Sequence, residues 1–236
     1  MELFEKDKKV QMAGLPWMEH NTFNLFSRKS LVSNILCTNH NEALSDCDIE
    51  AGKLFRCIKE FDDDFNSPNP REEHSKFNGH NLEKWMLKVV CGLIASNQVA
   101  SEGKQNRLIL KDEFIDILFN DGIWPNYWGL YFAIPNNKQI HKYDCMSFMP
   151  RTAYNEIKAG EFLINNFQFN LILGRPDMPD HWGVYRINKI FLTDGVIRKT
   201  IEFEWDNKRF DKWIEFKRIR TSSEPPGDWE NWMKKI

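Results

Sequence analysis

Residues 167–173, with the sequence FQFNLIL, place a large apolar side chain at every second position. A period of two puts those side chains on one face of a β-strand. The same alternation recurs at Ile201, Phe203 and Trp205, and the period first changes to two near Tyr127. We therefore predict that the chain after Tyr127 consists mainly of strands.

Three dipeptides that favour tight turns separate the strand-like runs: Asn136-Asn137, Asn165-Asn166 and Asp194-Gly195. Asn, Asp and Gly tolerate the backbone conformations that short hairpin loops require. A hairpin joins two strands that are consecutive in sequence and run in opposite directions. The second half of the chain is thus predicted to form a mainly antiparallel sheet.

In the first half, apolar residues recur at intervals of three and four, which is the period of a helix. The first predicted helix covers residues 45–61. The second begins at Asn81, which we expect to cap it, and its apolar positions continue to Ile94. Because its apolar face is broad, we predict that this second helix is covered on most sides and is central to the fold. A shorter helix is predicted over residues 112–119.

Residues 62–79 separate the first two predicted helices and contain three consecutive Asp residues and two Pro residues. Such a composition indicates a loop or linker, and it is the best candidate boundary in the chain. We predict an N-terminal part, residues 1–62, and a second part, residues 63–236, that can also pack together as one unit. Helices followed by a sheet make the predicted fold class α+β.

The chain of 236 residues contains 18 Phe, 9 Trp and 5 Tyr, and aromatic residues favour half-buried sheet surfaces. Core packing is the ordinary use of such side chains. An alternative is that Trp124, Trp128 and Trp182 form a platform on which bases or sugars stack.

The formal net charge of −2 gives no overall electrostatic attraction to nucleic acid or to a membrane. The charges are unevenly distributed, however. Residues 42–64 contain eight acidic and three basic side chains, whereas residues 186–220 contain ten basic and six acidic ones. This distribution permits a basic face on the C-terminal half, although a solvated strand face explains it equally well.

The cysteines are odd in number and widely spaced: Cys37, Cys47, Cys57, Cys91 and Cys145. Residues 1–10 are mostly charged, unlike a signal peptide, and the longest strongly apolar stretch, residues 89–95, is too short to span a bilayer. We therefore expect reduced thiols, a cytoplasmic location and no membrane partner.

Residues 19–41 hold the one group of side chains that suggests a chemical activity: Glu19, His20, Asn34, Cys37, His40 and Asn41. Phosphodiester hydrolysis needs a base near neutral pH, and a neutral imidazole suits that role. A divalent metal can stabilise the charge that develops on the phosphate. The Cys-x-x-His spacing of Cys37 and His40 also lets both side chains converge on one metal ion.

This arrangement resembles the ββα-metal core of HNH endonucleases, in a degenerate form. It is also similar to uncharacterised bacterial proteins with a Cys-x-x-His-Asn-x-x-Leu-Ser run, which begins here at Cys37. The resemblance implies that His20 is the general base, that Asn34 orients it, and that Glu19 and Asn41 coordinate Mg²⁺ or Mn²⁺. It also implies that residues 1–62 form an HNH-like module acting on nucleic acid.

By the same resemblance, Cys37 and His40 are half of a structural zinc site. A closed zinc site needs four ligands, and no cysteine precedes Cys37, so other cysteines or histidines would have to supply the rest. Cys47 and Cys57 fall on the apolar stripe of the first predicted helix, where thiols behave as small hydrophobic groups. The alternatives are a decayed scaffold without catalysis, or a core Cys37 followed by a helix that begins at His40 and Asn41.

Two functions from different classes follow. The first is metal-dependent hydrolysis of nucleic acid with His20 as base. The second is a non-catalytic binding protein whose aromatic sheet recognises a partner, because the sheet half is longer than the predicted site and carries no acid–base set. A small-molecule pocket between helix and sheet is a third alternative, without specific residues to support it.

Overall fold

The structure is a computed structural model, and it describes residues 10–13, 23–26, 36–99, 107–133, 139–140, 146–164, 167–206 and 212–218. The described part contains four α-helices and twelve strands. The helices are α1 (Thr38–Ala43), α2 (Ser45–Phe65), α3 (Gly79–Ala95) and α4 (Asp112–Phe119). None of them combines the length and the hydropathy that crossing a bilayer requires.

The strands within the described ranges form a short hairpin and two five-stranded sheets. They are β1 (Val10–Ala13), β2 (Phe23–Phe26), β3 (Glu73–Asn78), β4 (Gly129–Ala133), β5 (Gln139–Ile140), β6 (Met146–Ala153), β7 (Glu156–Ile164), β8 (Phe167–Ile172), β9 (Val184–Tyr185), β10 (Lys189–Thr193), β11 (Arg198–Glu204) and β12 (Trp213–Arg218). The predicted α+β class is confirmed.

One sheet is antiparallel throughout, with the strand order β6-β7-β8-β4-β9. The other has the order β3-β11-β10-β12-β5 and is mixed, because only β10 and β11 pair antiparallel. The predicted hairpins at residues 165–166 and 194–195 are confirmed by the pairing of Ile164 with Phe167 and of Thr193 with Arg198. The parallel pairs join strands that are distant in sequence, which a pattern of local turns does not reveal.

Helix α2 confirms the first predicted helix but continues four residues further, to Phe65. Phe65 lies one helical turn after Phe61, so it extends the same apolar stripe, and both rings are buried. The prediction of a loop beginning at residue 62 was therefore wrong by one turn. Burial of the Phe65 side chain outweighs the unfavourable helix propensity of the three Asp residues before it.

Strand β3 lies inside the segment that the sequence predicted as a linker. Only Phe77 of this strand is buried in the core, which is too weak a pattern for a strand to be predicted. The strand is formed instead by parallel pairing with β11, in which Phe77 lies opposite Phe203.

Helix α3 begins earlier than predicted, at Gly79. The Asn78 side chain caps it by accepting a hydrogen bond of 3.0 Å from the backbone N–H of Asn81. Asn81, the predicted cap, thus lies inside the helix and donates to the cap.

The N-terminal hairpin pairs β1 with β2, from Val10 opposite Phe26 to Ala13 opposite Phe23. Residues 22–26 and 31–36 are short apolar segments, a pattern that predicts a small hairpin between them. The first of these segments is a strand, but its partner is residues 10–13, and residues 31–35 lie outside the described part.

A single core joins the helices to both sheets. Phe132 of β4 lies 5.3 Å from Phe169 of the same sheet and 5.0 Å from Phe203 of the mixed sheet, measured between ring centroids. Helix α3 is central, as predicted, because Trp85 contacts the ring of Phe55 on α2 and that of Phe162 on β7. Helix α2, which falls almost entirely within residues 1–62, shares this core with the rest of the described chain.

Candidate functional site

The predicted metal ligands Cys37 and His40 do come together. Cys37 immediately precedes α1, and its Sγ lies 3.1 Å from Nδ1 of His40, at the surface. The His40 ring is also held edge-on against Phe119 of α4, with 4.7 Å between the ring centroids. Glu19, His20 and Asn34, the other residues of the predicted site apart from Asn41, lie outside the described residues.

The positive charge of Lys88 lies beside Asn41. The Lys88 ammonium of α3 lies 3.4 Å from Oδ1 of Asn41 and 2.7 Å from a carboxylate oxygen of Asp48. A positive charge beside the oxygen that the HNH resemblance assigns to a metal opposes binding of a divalent cation there.

The remaining described cysteines are free thiols that serve the core, as the sequence predicted for Cys47 and Cys57. Burial raises the pKa of Cys47, that of Cys57 to about 11 and that of Cys91 to about 12. Among the residues that the structure describes, no three His, Cys, Asp or Glu side chains are grouped as metal ligands. Cys37, His40 and Asn41 therefore do not complete a metal site within this part of the chain.

A buried ionic cluster lies where α3 begins, next to β4, and we call His80, Glu83 and Arg186 the core ionic cluster. Glu83 is 1% exposed. One of its oxygens lies 3.0 Å from Nδ1 of His80, and the other accepts the backbone N–H of Leu130 at 3.1 Å and lies 3.4 Å from the Arg186 guanidinium. Such a buried charge is tolerable only because it is paired and hydrogen-bonded.

Glycine at position 129 makes room for the core ionic cluster. A Cβ atom there would overlap the Arg186 guanidinium and lie 2.5 Å from a Glu83 oxygen, and the backbone φ of +122° is itself unfavourable for other residues. The guanidinium also donates to the carbonyl oxygen of Trp128 and lies 5.1 Å from the ring of Tyr131. These contacts fix the junction between α3, β4 and the chain after β9.

A second buried cation, Lys199, lies on the core face of β11 and is fully inaccessible. Its ammonium donates to Asp64 of α2 at 2.6 Å, to Glu73 of β3 at 2.7 Å and to the carbonyl oxygen of Arg71 at 2.9 Å. Three donors and three acceptors match, so Lys199 ties the end of α2 to the mixed sheet. These contacts give it a structural role.

The side of the mixed sheet that points away from the core is open to solvent, and we call it the outer face. Its side chains, on β3, β10, β11 and β12, are His74, Lys76, Lys189, Phe191, Thr193, Arg198, Thr200, Glu202, Glu204, Trp213 and Glu215. Each described Lys or Arg on it has a carboxylate within 4 Å: Glu204 for Lys76, Glu202 for Lys189 and Glu215 for Arg198. The side chains described on the outer face are therefore charge-balanced rather than basic.

Two aromatic rings lie on the outer face, Phe191 in the middle of β10 and Trp213 at the start of β12. Trp213 is 56% exposed, and its ring meets Phe191 edge-on at a centroid distance of 5.5 Å. The Arg198 guanidinium lies 5.0 Å from the ring of Phe191. An exposed indole held in a defined orientation on a sheet is a surface on which a flat ligand can stack.

A cavity of about 450 Å³ opens at the end of the outer face, beside the turn between β10 and β11. Its lining is mostly polar: Glu72, Glu73, His74, Thr193, Gly195, Val196, Ile197, Arg198 and Thr200. Four of these residues also belong to the outer face. Arg198 links the two features, because it lines the cavity and its guanidinium lies over Phe191, whereas neither aromatic ring lines the cavity.

The platform suggested for Trp124, Trp128 and Trp182 is divided in the structure. Trp124 and Trp128 are packed against the core, as the core-packing alternative predicts. Trp182 is 75% exposed and is the last residue of a short 3-10 helix, Pro179–Trp182, that precedes β9. Trp213, which was not among the three predicted tryptophans, is presented by a face of the mixed sheet.

Comparison with known proteins gives no relative for this chain: no family model, no curated protein and no solved structure matches it.

Neither the core ionic cluster nor the aromatic pair could be predicted from the sequence, because their members are far apart in the chain. Glu83 and Arg186 are 103 positions apart, and Phe191 and Trp213 belong to strands that pair in parallel across a crossover. Glu83 could have indicated the core ionic cluster, because it lies on the broad apolar face of α3, where a charged residue is unusual.

Proposed function

We propose that this protein is a non-catalytic binding protein that takes its partner on the outer face of the mixed sheet. The observation that supports the proposal best is the half-exposed indole of Trp213, held against Phe191 on the same sheet face that carries a cavity lined by polar side chains. Burying one face of an indole is a large and favourable contribution to binding.

The charges on the outer face favour an uncharged partner. Nucleic acid binds mainly through phosphates that Lys and Arg neutralise, and here Lys76, Lys189 and Arg198 already face carboxylates. A sugar ring has an apolar face that stacks on an indole and hydroxyl groups that accept from Arg198 and donate to Glu215. The partner class that fits is therefore a neutral oligosaccharide.

A cavity of this size agrees with that partner. Sites for small molecules commonly measure about 300–1,000 Å³. The hydroxyl groups of Thr193 and Thr200 and the imidazole of His74 line the cavity and supply hydrogen-bonding groups for the hydroxyl groups of a sugar.

The test uses the full chain on a printed array of neutral oligosaccharides, followed by titration of the best binder while the indole NMR signals are recorded. We expect Trp213→Ala to weaken binding on the order of tenfold or more, since the stacking contact is lost. The matched control is Trp182→Ala, which removes an exposed indole outside the sheet and should leave the affinity unchanged.

Three outcomes would overturn this function: no neutral oligosaccharide binds, Trp182→Ala weakens binding as much as Trp213→Ala, or a chelator abolishes binding. Oligothymidylate serves as the comparison probe. If it binds at Trp213 and the oligosaccharides do not, the outer face is a nucleic-acid surface and the inference from charge is wrong.

Metal-dependent hydrolysis of nucleic acid by an HNH-like module is the second candidate function. The 3.1 Å contact between Cys37 and His40 favours it, because two ligands of a zinc knuckle converge in this way. Elemental analysis should then find about one zinc per chain, and plasmid cleavage with Mg²⁺ or Mn²⁺ should be lost in His20→Ala. Absence of zinc together with absence of cleavage by the wild type would exclude it.

A further inference from the structure

His80 lies between two hydrogen-bonding partners of opposite kind. Its Nδ1 is 3.0 Å from a carboxylate oxygen of Glu83 on α3, and its Nε2 is 2.9 Å from the backbone nitrogen of Asp206, directly after β11 and Trp205. An ionised carboxylate only accepts hydrogen bonds and a backbone N–H only donates. Both bonds can form together only if the imidazole is neutral and carries its proton on Nδ1.

The direction of the bond at Nδ1 follows from the bond at Nε2. The backbone N–H of Asp206 can only donate, so Nε2 accepts, and the single proton of the neutral imidazole lies on Nδ1, from which it is donated to Glu83. The second oxygen of Glu83 accepts the Leu130 N–H and lies 3.4 Å from the Arg186 guanidinium.

We propose that His80 is an acid-sensitive latch that holds the chain at the end of β11 and releases it when the imidazole is protonated. Protonation places a second N–H on Nε2, opposite the N–H of Asp206 at 2.9 Å. Two donors cannot bond to each other, so the Asp206 backbone has to move away. The bond to Glu83 persists, because protonation adds an ion pair to it.

The charged groups around the ring come from three parts of the chain. The Glu83 carboxyl group on α3 lies 3.0 Å from the ring, and the Arg186 guanidinium, after β9, lies 3.4 Å from the other oxygen of Glu83. Asp206, which is exposed, contributes its own carboxylate. Trp205, whose ring meets the His80 ring edge-on with 5.5 Å between the centroids, is uncharged.

Histidine is the side chain suited to such a change between pH 8 and pH 5. We expect the release to be local. The nearby backbone hydrogen bond from the Phe203 N–H to the carbonyl oxygen of Asn188 is 2.8 Å long and involves no ionisable group, so it should persist. The latch is independent of the oligosaccharide proposal, and it can be tested without a ligand.

The experiment is amide hydrogen exchange of the full chain by NMR at pH 8 and pH 5, corrected for the intrinsic dependence of exchange on pH. We expect the protection of the Asp206 amide to be roughly fivefold lower at pH 5, as for loss of one ordinary hydrogen bond. Protection of the Phe203 amide should stay the same, which separates local release from general loss of stability.

Two variants identify the group responsible. In His80→Gln the side chain offers a carbonyl oxygen to Asp206 but cannot gain a charge, so the Asp206 amide should be equally protected at both pH values. His74→Gln changes the exposed histidine on the outer face, which lies 2.7 Å from Glu202, and should leave the response of wild type intact. The imidazole ¹⁵N shifts of wild type at pH 8 provide a measurement that needs no variant, since they should show a proton on Nδ1 only.

The latch is wrong if wild type protects Asp206 equally at pH 5 and pH 8, or if His80→Gln retains the full response. It is also wrong if the ¹⁵N shifts at pH 8 place the proton of His80 on Nε2.

Discussion

Glu83 and Glu202 have nearly the same partners in two very different places. Glu83 lies in the core beside His80 and Arg186, whereas Glu202 lies on the outer face beside His74, Lys76 and Lys189. Their side chains are 1% and 20% exposed. Each carboxylate thus combines a histidine with at least one permanent cation, and the surrounding solvent is the main difference.

The comparison shows that the importance of an ion pair depends on what happens when it is broken. On the outer face, water replaces a lost partner, so an exposed pair contributes little to stability. In the core, the partner that remains is a buried charge without compensation. We expect the core ionic cluster to maintain the fold, while the ion pairs of the outer face can be exchanged for contacts to a ligand.

The largest expected effect comes from neutralising Glu83. Glu83→Gln keeps the shape of the side chain but removes the negative charge that lies 3.4 Å from the Arg186 guanidinium, and we expect the free energy of unfolding to fall by about 3–5 kcal/mol. Glu202→Gln, the matched change on the outer face, should cost less than about 1 kcal/mol. Urea denaturation of both variants measures the difference, and equal losses would contradict the comparison.

Crowding the core ionic cluster should come next. Gly129→Ala adds a Cβ atom against Arg186 and Glu83 at a positive φ, and we expect a loss of about 3 kcal/mol from strain and broken contacts. Gly195→Ala also has a positive φ but meets open space, so only about 1 kcal/mol of backbone strain should appear. Thermal unfolding of the two variants separates strain from crowding. Similar melting temperatures would show that the cluster tolerates displacement.

Lys199 offers an intermediate case, because it is buried while its carboxylate partners reach solvent. Lys199→Met keeps the packing against Phe61 and leaves Asp64 and Glu73 to be hydrated, so a loss of about 2 kcal/mol is expected. Lys76→Met on the outer face should cost about 0.5 kcal/mol or less. The free energies of unfolding in urea test this order, and a larger loss in Lys76→Met would reverse it.

The smallest effect is the acid response of the outer face. Partial burial would raise the pKa of Glu202, but the hydrogen bond from His74 and the charges of Lys189 and Lys76 outweigh it and lower the pKa. A carboxylate with a lowered pKa stabilises the fold above its unfolded pKa, and this stability is lost as the pH falls through the folded value. Stability should therefore decrease between pH 5 and pH 3, by less than about 1 kcal/mol for this group. Glu202→Gln should remove the part of this loss of stability that Glu202 causes. If the variant shows the same pH profile of unfolding free energy as wild type, the prediction is wrong.

The elements with a strong local pattern could be predicted from the sequence. The stripe of α2, the broad face of α3 and the alternation in β8 each report burial within one segment, and the structure confirms all three. Strand β3 carried no such signal, because its pairing with β11 depends on residues more than a hundred positions away.

In the candidate site, too, only contacts within one segment of the chain could be predicted from the sequence. The Cys-x-x-His spacing predicted that Cys37 and His40 meet, because both are on or beside one helix. The neighbourhood of Lys88 and Asn41 comes from the packing of α3 against the N-terminal helices, and the pairing of Trp213 with Phe191 comes from a parallel crossover. Neither can be read from local spacing.

The ammonium of Lys199 and the carboxylate of Glu73 are separated by 126 positions in the chain, and β3 has no other described strand beside it. A ribosome adds about 5–20 residues per second, so β3 leaves the exit tunnel on the order of ten seconds before its partner strand. During that interval the later strands are absent, so Phe77 and the apolar faces of α2 and α3 that pack against them are exposed to solvent. The nascent chain should therefore be most vulnerable to aggregation in this window, and a chaperone that binds apolar segments would find its substrate there.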